Sequence, residues 1–504
     1  MKFKTENINL ILIFLFITIL SFYQSIQQNW GYRADQDWTI IYNSLLVISN
    51  FEQEYIDHPA YTTFLLYGNF LKLINVFFNL NLNILNIFND LNANNNLQNI
   101  FISLRIINSL IIFSIYLVSY KILKLFNISN YYISLILLIF LSFNSIYQLL
   151  FLLRSEALSV LLFLISNYFF LKYLLTSQKN IYIIIGSIFF SLSLLAKTQI
   201  ILLYLSLPFI LILIKNKFKI NTKEFTFNNN YLYLFTSILL FFSLILYSKY
   251  SAPTELMIFI IYLIVFLIFV SLIKKISIKM IKEYLSIIIL FSFGVLITFV
   301  FIVILDLSNI VKFDYSIIGN NFLRPISHMA AIQGYDISNN ILTNIASKQS
   351  QNFFNHFYTN FFNHGGLVKV FTKNIFFIFL IPILFLNFIK KSNINLLYSM
   401  ILFVHLFVLS SLFLFERNQP FYQIYFIPIL LYVFIEFSTL NKKIIFLIFT
   451  VFFLIVNLPQ LKVRIFLGFD NKYNQNNICG YGESGWNLTT KKLNYKKFKQ
   501  LFCS

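Results

Sequence analysis

Apolar runs close to the length of a membrane-spanning helix recur along the chain from Ile8 to Asn457. At a rise of about 1.5 Å per residue, an α-helix of about 20 residues crosses the roughly 30 Å hydrocarbon core of a bilayer. Charged residues make up only 11% of the 504 residues, well below the level of about 25% in soluble domains. The pattern excludes a soluble enzyme and a disordered chain, and it predicts an all-α, polytopic membrane protein.

The net charge of +20 comes from lysines that lie in short clusters between the apolar runs. Such clusters orient a membrane protein, because cytoplasmic loops carry an excess of Lys and Arg. We therefore expect no nucleic-acid partner. The clusters are Lys2/Lys4, Lys121/Lys124, Lys172/Lys179, Lys215–Lys223, Lys274–Lys282, Lys390/Lys391 and Lys442/Lys443.

A cytoplasmic position for every cluster predicts about 13 transmembrane helices in a domain of residues 1–458, and a small outer C-terminal tail, residues 459–504. Whether Cys479 and Cys503 in this tail form a disulfide stays open, because a disulfide requires an oxidising compartment. The predicted spans lie near residues 8–24, 100–120, 131–152, 157–175, 181–196, 199–214, 231–248, 256–273, 284–305, 372–389, 396–415, 420–439 and 444–458.

Two segments of the first outer loop, residues 25–99, are predicted to be juxtamembrane helices. Trp38–Ser49 has an apolar stripe at helical spacing, which suits a helix lying in the membrane interface. Tyr61–Leu80 is apolar, but counting it as a span would place Lys121 and Lys124 outside. The other long outer loop, residues 306–371, contains Arg324 and His328.

Two acidic motifs in the first outer loop are candidates for chemistry. Asp35 and Asp37 precede the first juxtamembrane helix, where a carboxylate could act as a general base or merely cap the helix. Asp57 and His58 precede the second helix, where they could contact a phosphate or a divalent metal ion, or form a solvated helix start.

Further candidates lie in tight outer turns. Arg154 and Glu156 lie at the membrane edge, where charges either pair structurally or serve a site. Lys197 lies on the outer side, against the positive-inside bias, where it could serve the site or snorkel to headgroups. Arg417 could neutralise a leaving phosphate, and Tyr422 could line a sugar or lipid or, with Tyr425, anchor headgroups.

Taken in order, these motifs resemble the membrane-embedded glycosyltransferases of the GT-C superfamily, such as protein O-mannosyltransferases and lipid A aminoarabinose transferases. Asp35-Gln36-Asp37 resembles the acidic motif that opens the first outer loop of that family, and Asp57-His58-Pro59 resembles the element before its second juxtamembrane helix. Arg105 to Ser109, Arg154 to Glu156 and Leu195 to Gln199 resemble the motifs that follow. Arg417 through Tyr422 to Pro428 resembles a late family pattern.

The resemblance implies an inverting transfer of a sugar from a polyprenyl-phosphate donor to a hydroxyl acceptor at the outer face of the inner membrane. It implies that Asp35 or Asp37 is the base, with Asp35 favoured. The implied binding residues are Asp57, His58, Arg105, Arg154, Glu156, Lys197, Arg417 and Tyr422. Metal dependence stays open, with Asp57, His58 and Glu156 as candidate ligands. The acceptor is a glycan, a lipid or a protein.

Two other functions fit a polytopic chain. A polysaccharide polymerase or ligase would use Arg324 and His328 of the large outer loop. A lipid-linked sugar flippase or transporter is less favoured, because the charges lie at outer span ends rather than near the midplane where transport sites form.

Overall fold

A computed structural model gives the fold. It describes residues 5–27, 38–53, 60–78, 82, 93–176, 179–197, 200, 203–204, 278–308, 312, 380–385, 399–400, 402–403, 405–406, 420–439 and 443–467. Within these ranges the secondary structure is helical and contains no strand, which confirms the all-α prediction.

The longer helices are numbered here in chain order. They are α1 (Thr5–Gln27), α2 (Thr39–Ile48), α3 (Tyr61–Phe78), α4 (Ala93–Leu125), α5 (Asn130–Leu141), α6 (Asn144–Phe151), α7 (Ser155–Leu175), α8 (Asn180–Ala196), α9 (Ile278–Leu307), α10 (Phe426–Thr439) and α11 (Lys443–Leu467). A short 3-10 helix, Pro420–Tyr425, leads into α10.

Three helices of the described part are long and apolar enough to cross a bilayer: Asn95–Leu125, Ser155–Leu175 and Ile289–Leu307. The bent pair of α5 and α6 would make a fourth if it counts as one span. Helices α1, α8, α10 and α11 also coincide with predicted spans. The predicted spans near 199–214, 231–248, 256–273, 372–389 and 396–415 lie wholly or largely outside the described residues.

The span predicted as continuous over residues 131–152 is broken, which corrects the sequence analysis. Helix α5 ends at Leu141, and α6 starts at Asn144 after a bend of 60°. At the break the Ser142 hydroxyl donates to the Ile139 carbonyl over 2.7 Å, and Phe143 is extended. Apolar residues lie on both sides of Ser142, Asn144 and Ser145, so hydropathy averaged over the segment does not reveal the bend.

The prediction of a helix at Trp38–Ser49 is confirmed. The predicted burial of a single apolar stripe is wrong, because the helix is buried on all sides. Every residue of α2 from Thr39 to Val47 is buried. Two polar side chains tolerate this burial because they bond within the helix: Asn43 Nδ2 donates to the Thr39 carbonyl over 2.9 Å, and Ser44 Oγ to the Ile40 carbonyl over 2.7 Å. Helix α2 is therefore a core element and not a half-exposed one.

Glycines allow two pairs of helices to approach closely. A Cβ at Gly68 of α3 would lie 2.6 Å from Val47 Cβ of α2. A Cβ at Gly294 of α9 would lie 2.6 Å from the Ile184 carbonyl oxygen of α8, which is backbone and cannot rotate away. Small residues serve this purpose in membrane helix packing.

Helices α7 and α8 form an antiparallel hairpin, against which α4 packs on one side and α9 on the other. The Ser166 hydroxyl of α7 donates to the Gly186 carbonyl of α8 over 2.8 Å. Tyr432 of α10 donates to Asn167 Oδ1 over 2.7 Å, which ties the C-terminal part of the chain to α7. This hairpin is the frame that carries the candidate site.

Replacing Gly294 by alanine is expected to lower stability by about 1–3 kcal/mol, because the new methyl group forces α8 and α9 apart. Thermal unfolding of the purified protein in detergent measures the change. Leu296→Ala is the matched control on the same helix, because that side chain is largely exposed. Equal melting temperatures for Gly294→Ala and the wild type would contradict the close packing.

Candidate functional site

The connection between α6 and α7 carries the site, and a side chain of another helix, α4, holds it in place. Residues Leu152 and Arg154 are extended, between a helix that ends at Phe151 and one that begins at Ser155. Asn108 of α4 is buried, and its Nδ2 donates to the Leu149 carbonyl and, over 3.2 Å, to the Leu152 carbonyl. Carbonyls at the end of α6 lack partners within their own helix, so Asn108 caps it.

Helix α3 holds Asn108 in turn. The Tyr67 hydroxyl donates to Asn108 Oδ1 over 3.1 Å, and both residues are fully buried. A hydrogen-bonded path therefore runs from α3 through α4 to the segment that presents Arg154. This orients the asparagine so that its two N–H groups face the carbonyls of α6.

Glu156, in the first turn of α7, is fully buried and held by the fork of Arg154. Arg154 Nε donates to Glu156 Oε2 and Nη2 to Oε1, each over 3.0 Å. Such bidentate charged pairs are short, strong and geometrically specific. The carboxylate also lies at the N-terminus of a helix, where the helix dipole favours negative charge.

Lys197, which directly follows α8, joins this pair. Its Nζ lies 3.3 Å from Glu156 Oε1, and its side chain is only 3% exposed. Lys197 caps the C-terminus of α8 in an extended conformation, and its backbone N–H donates to the Ser193 carbonyl over 3.0 Å. A cation at a helix C-terminus is favourable. The alternative in which Lys197 snorkels to headgroups is wrong, because the side chain points to a buried carboxylate.

We call Arg154, Glu156 and Lys197 the ion cluster. Two cations face one carboxylate, so the three side chains together carry one net positive charge. Buried charges are costly unless they are paired. An anionic group placed beside the ion cluster would therefore be stabilised, and in a low-dielectric interior this effect is stronger than in water.

The 3-10 helix packs on both α6 and α7 and brings two tyrosines to the site. The Tyr422 and Tyr425 rings are stacked, with centroids 6.3 Å apart, and both residues are buried. Tyr425 interacts electrostatically with Glu156 and Arg154. Headgroup anchoring by these tyrosines is wrong, because neither reaches the surface. The sequence analysis chose Tyr422 for the site, and Tyr425, three residues later, is the tyrosine whose pKa is influenced by the charges of Glu156 and Arg154.

Arg105, predicted to bind phosphate, is fully buried in α4 with its guanidinium carbon 3.8 Å from the centroid of the Phe101 ring. That stacking gives it a packing role, and its phosphate-binding role stays a prediction. The residue of this motif that holds the site is Asn108, three positions later. A single buried amide among apolar residues of a predicted span was the signal that could have found it.

Asp35, Asp37, Asp57, His58, Arg417, Arg324 and His328 lie outside the described residues. Two described residues close to these motifs in sequence pack in the fold: Trp38 is buried, and the Thr62 hydroxyl of α3 donates to the Leu192 carbonyl of α8 over 2.9 Å. The start of α3 is thus docked on α8 five residues before Lys197.

The carboxylate of Glu156 is already engaged by two cations, which disfavours it as a metal ligand. The described residues contain no cluster of three or more His, Cys, Asp or Glu side chains with metal-binding geometry. Asp57 and His58, the other candidate ligands, lie outside the described residues.

Comparisons with known proteins add no relative: no family model, no curated protein and no solved structure matches the chain.

Replacing Glu156 by glutamine is expected to destabilise the protein by about 3–5 kcal/mol, because Arg154 and Lys197 then remain buried without their shared anion. Lys197→Met should cost less, because Glu156 keeps Arg154. In a double-mutant cycle, Lys197→Met should recover part of the loss caused by Glu156→Gln.

Unfolding in detergent measures all three variants, and Glu52→Gln, at an exposed carboxylate, is the control. Additive effects of the two substitutions would show that the ion cluster does not act as a unit.

Proposed function

We propose that this chain is an inverting glycosyltransferase that moves a sugar from a polyprenyl-phosphate donor to a hydroxyl acceptor at the outer face of the inner, or plasma, membrane. The observation that supports the proposal is the convergence of Arg154, Glu156 and Lys197 with the buried tyrosines of the 3-10 helix. The start of α7 and the end of α8 thus supply one buried, net-positive cluster, and the 3-10 helix from the C-terminal part of the chain packs on α7.

In the proposed reaction, the ion cluster stabilises the phosphate that leaves the sugar. Negative charge grows on the phosphate oxygen as the glycosidic bond breaks, and fixed cations placed there lower the barrier without reorganising. Glu156 has a positioning role, since it holds Arg154 and Lys197 side by side. Arg417 is proposed to add a further cation, and Asp57, His58 and Arg105 to line the donor site.

The base in this proposal is Asp35 or Asp37. The carboxylate takes the proton of the acceptor hydroxyl, whose oxygen attacks the anomeric carbon opposite the phosphate and so inverts its configuration. The acceptor is a glycan, a lipid or a protein, and the membrane lipid surrounds the donor's polyprenyl chain.

Binding and transfer should separate in a set of variants. The probe for binding is a polyprenyl phosphate, compared with the polyprenol that lacks the phosphate. Lys197→Met is expected to weaken binding of the phosphate form by about tenfold or more, the effect of losing one charged hydrogen bond, and to leave polyprenol binding unchanged. Equal binding of the two probes by the wild type would overturn the phosphate role of the ion cluster.

The same preparations test the base. In transfer assays with lipid-linked sugars, replacing the aspartate that is the base by asparagine should abolish product formation. Binding of polyprenyl phosphate should stay intact, because the carboxylate acts on the acceptor. Wild-type turnover by both Asp35→Asn and Asp37→Asn would refute the assignment. Arg324→Ala and His328→Ala test the alternative of a polymerase or ligase. Such an enzyme would lose activity in these two variants and keep it in Asp35→Asn and Asp37→Asn.

The broken pair α5 and α6 favours a second candidate, a lipid-linked sugar transporter. Discontinuous helices form substrate sites in transporters, and α6 buries Asn144, Ser145 and Gln148. Movement of a lipid-linked sugar across vesicles without any acceptor would favour this function over transfer.

A further inference from the structure

The ion cluster lies at one end of the helical bundle. Distances along the helices from this cluster locate the residues at the opposite end. Lys197 at the end of α8 meets Glu156 at the start of α7. Lys172 follows Glu156 by 16 positions in α7, about 24 Å along the helix. Lys172 and Lys179 therefore flank the connection at the far end of the hairpin.

Helix α4 reaches the same far end. Asn108 of α4 holds the Leu152 carbonyl just before α7 begins, and α4 packs against α7. Lys124 follows Asn108 by 16 positions, again about 24 Å along the helix. Lys121 and Lys124 therefore lie at the level of Lys172.

The starts of α5 and α11 complete this end. Helix α5 begins at Asn130, directly after the turn that ends α4, and Lys124 Nζ donates to Asn130 Oδ1 over 2.5 Å. The rings of Tyr132 in α5 and Phe446 in α11 lie 5.3 Å apart, which places Lys443 here too. We call Lys121, Lys124, Lys172, Lys179 and Lys443 the lysine rim.

The side chains of the lysine rim reach the surface and are accompanied by tyrosines. Lys121, Lys179 and Lys443 are exposed, and the other two are half-buried. Lys172 Nζ lies 4.8 Å from the centroid of the Tyr182 ring and 5.8 Å from that of Tyr168. Lys124 Nζ lies 5.6 Å from the Tyr120 centroid. Lysines beside tyrosine rings are typical of the level of lipid headgroups.

An apolar surface begins directly at the rim. Along α11, Ile444, Ile448, Val451 and Ile455 are exposed, in the direction that leads away from Lys443. A soluble anion would contact only the lysines, whereas a lipid would place its headgroup on them and its acyl chains along this apolar face. Glu436 of α10 lies near this level but is buried, so it adds no exposed carboxylate.

We infer that the lysine rim is a docking surface for the anionic phospholipid headgroups of one leaflet. The distance of about 24 Å between the rim and the ion cluster is close to the thickness of a hydrocarbon core, which is about 30 Å. The ion cluster then lies near the opposite interface. This inference uses the membrane placement of the helices but none of the transferase chemistry.

The test uses the full chain purified in a neutral detergent, with dioleoyl phosphatidylglycerol and dioleoyl phosphatidylcholine as probes that share acyl chains. The wild type is expected to bind the anionic lipid more tightly and to melt at a higher temperature with it. Each rim lysine should contribute about fivefold to the preference, so the triple variant Lys124→Gln/Lys172→Gln/Lys179→Gln should lose about a hundredfold.

Two matched variants separate charge from fold. The same three positions changed to arginine should keep the preference, and Lys72→Gln, which removes a lysine of α3 outside the rim, should keep it too. If the glutamine variant does not fold, the salt dependence of the wild type decides, because headgroup binding by exposed lysines must weaken as ionic strength rises.

Equal binding of the two lipids by the wild type would overturn the inference, as would a preference that survives the triple glutamine substitution or is insensitive to salt. Competition by glycerol 1-phosphate as effective as that by the lipid would also overturn it, since the rim would then recognise a soluble phosphate. Because the readout is lipid binding, these outcomes are independent of whether the chain transfers a sugar.

Discussion

The pairing of Glu156 with two cations is the interaction on which the described fold depends most. A carboxylate without exposed surface in an apolar bundle is tolerated only when its charge is compensated. Arg154 compensates it through two parallel hydrogen bonds, and Lys197 adds a third contact from another helix. The electrostatics of one residue thereby determine where α8 must end relative to where α7 begins.

The surrounding polar groups make that pairing possible. Asn108 caps the end of α6, and Tyr67 orients Asn108, so the extended segment before α7 is held on both sides. The 3-10 helix that contains Tyr425 packs on α6 and α7, and Tyr432 ties the following helix to Asn167.

The sequence predicts many of the helices that the structure describes, because membrane helices are set mainly by length and hydropathy. Helices α1, α4, α7, α8, α10 and α11 all lie where apolar runs predict spans. The break between α5 and α6 was not predictable in this way, because the apolar residues before Ser142 and after Ser145 together have the length of one span. The burial of α2 on all sides was not predicted either. Asn43 and Ser44 lie outside the apolar stripe, but their side chains bond to carbonyls of their own helix and can be buried.

The candidate site was predictable in part. Arg154, Glu156 and Lys197 stand out because charge is rare beside apolar runs, and the structure brings them together. Tyr425 and Asn108 were not chosen, because a tyrosine and an asparagine are common in this composition and only the tertiary structure shows what they contact. Hydropathy describes which segments are helices, whereas the site depends on which helix ends meet.

The hairpin of α7 and α8 also has a consequence for how the chain is made. Arg154 and Glu156 are two residues apart, so α7 can enter the membrane with its charges already neutralised, before α8 has been synthesised. Lys197 emerges later and brings an uncompensated cation to the membrane. The Glu156 carboxylate at the start of α7 pairs with Lys197, and this contact fixes the position of α8 along α7. The order of residues along the chain thus matches the order in which charge has to be accommodated during biosynthesis.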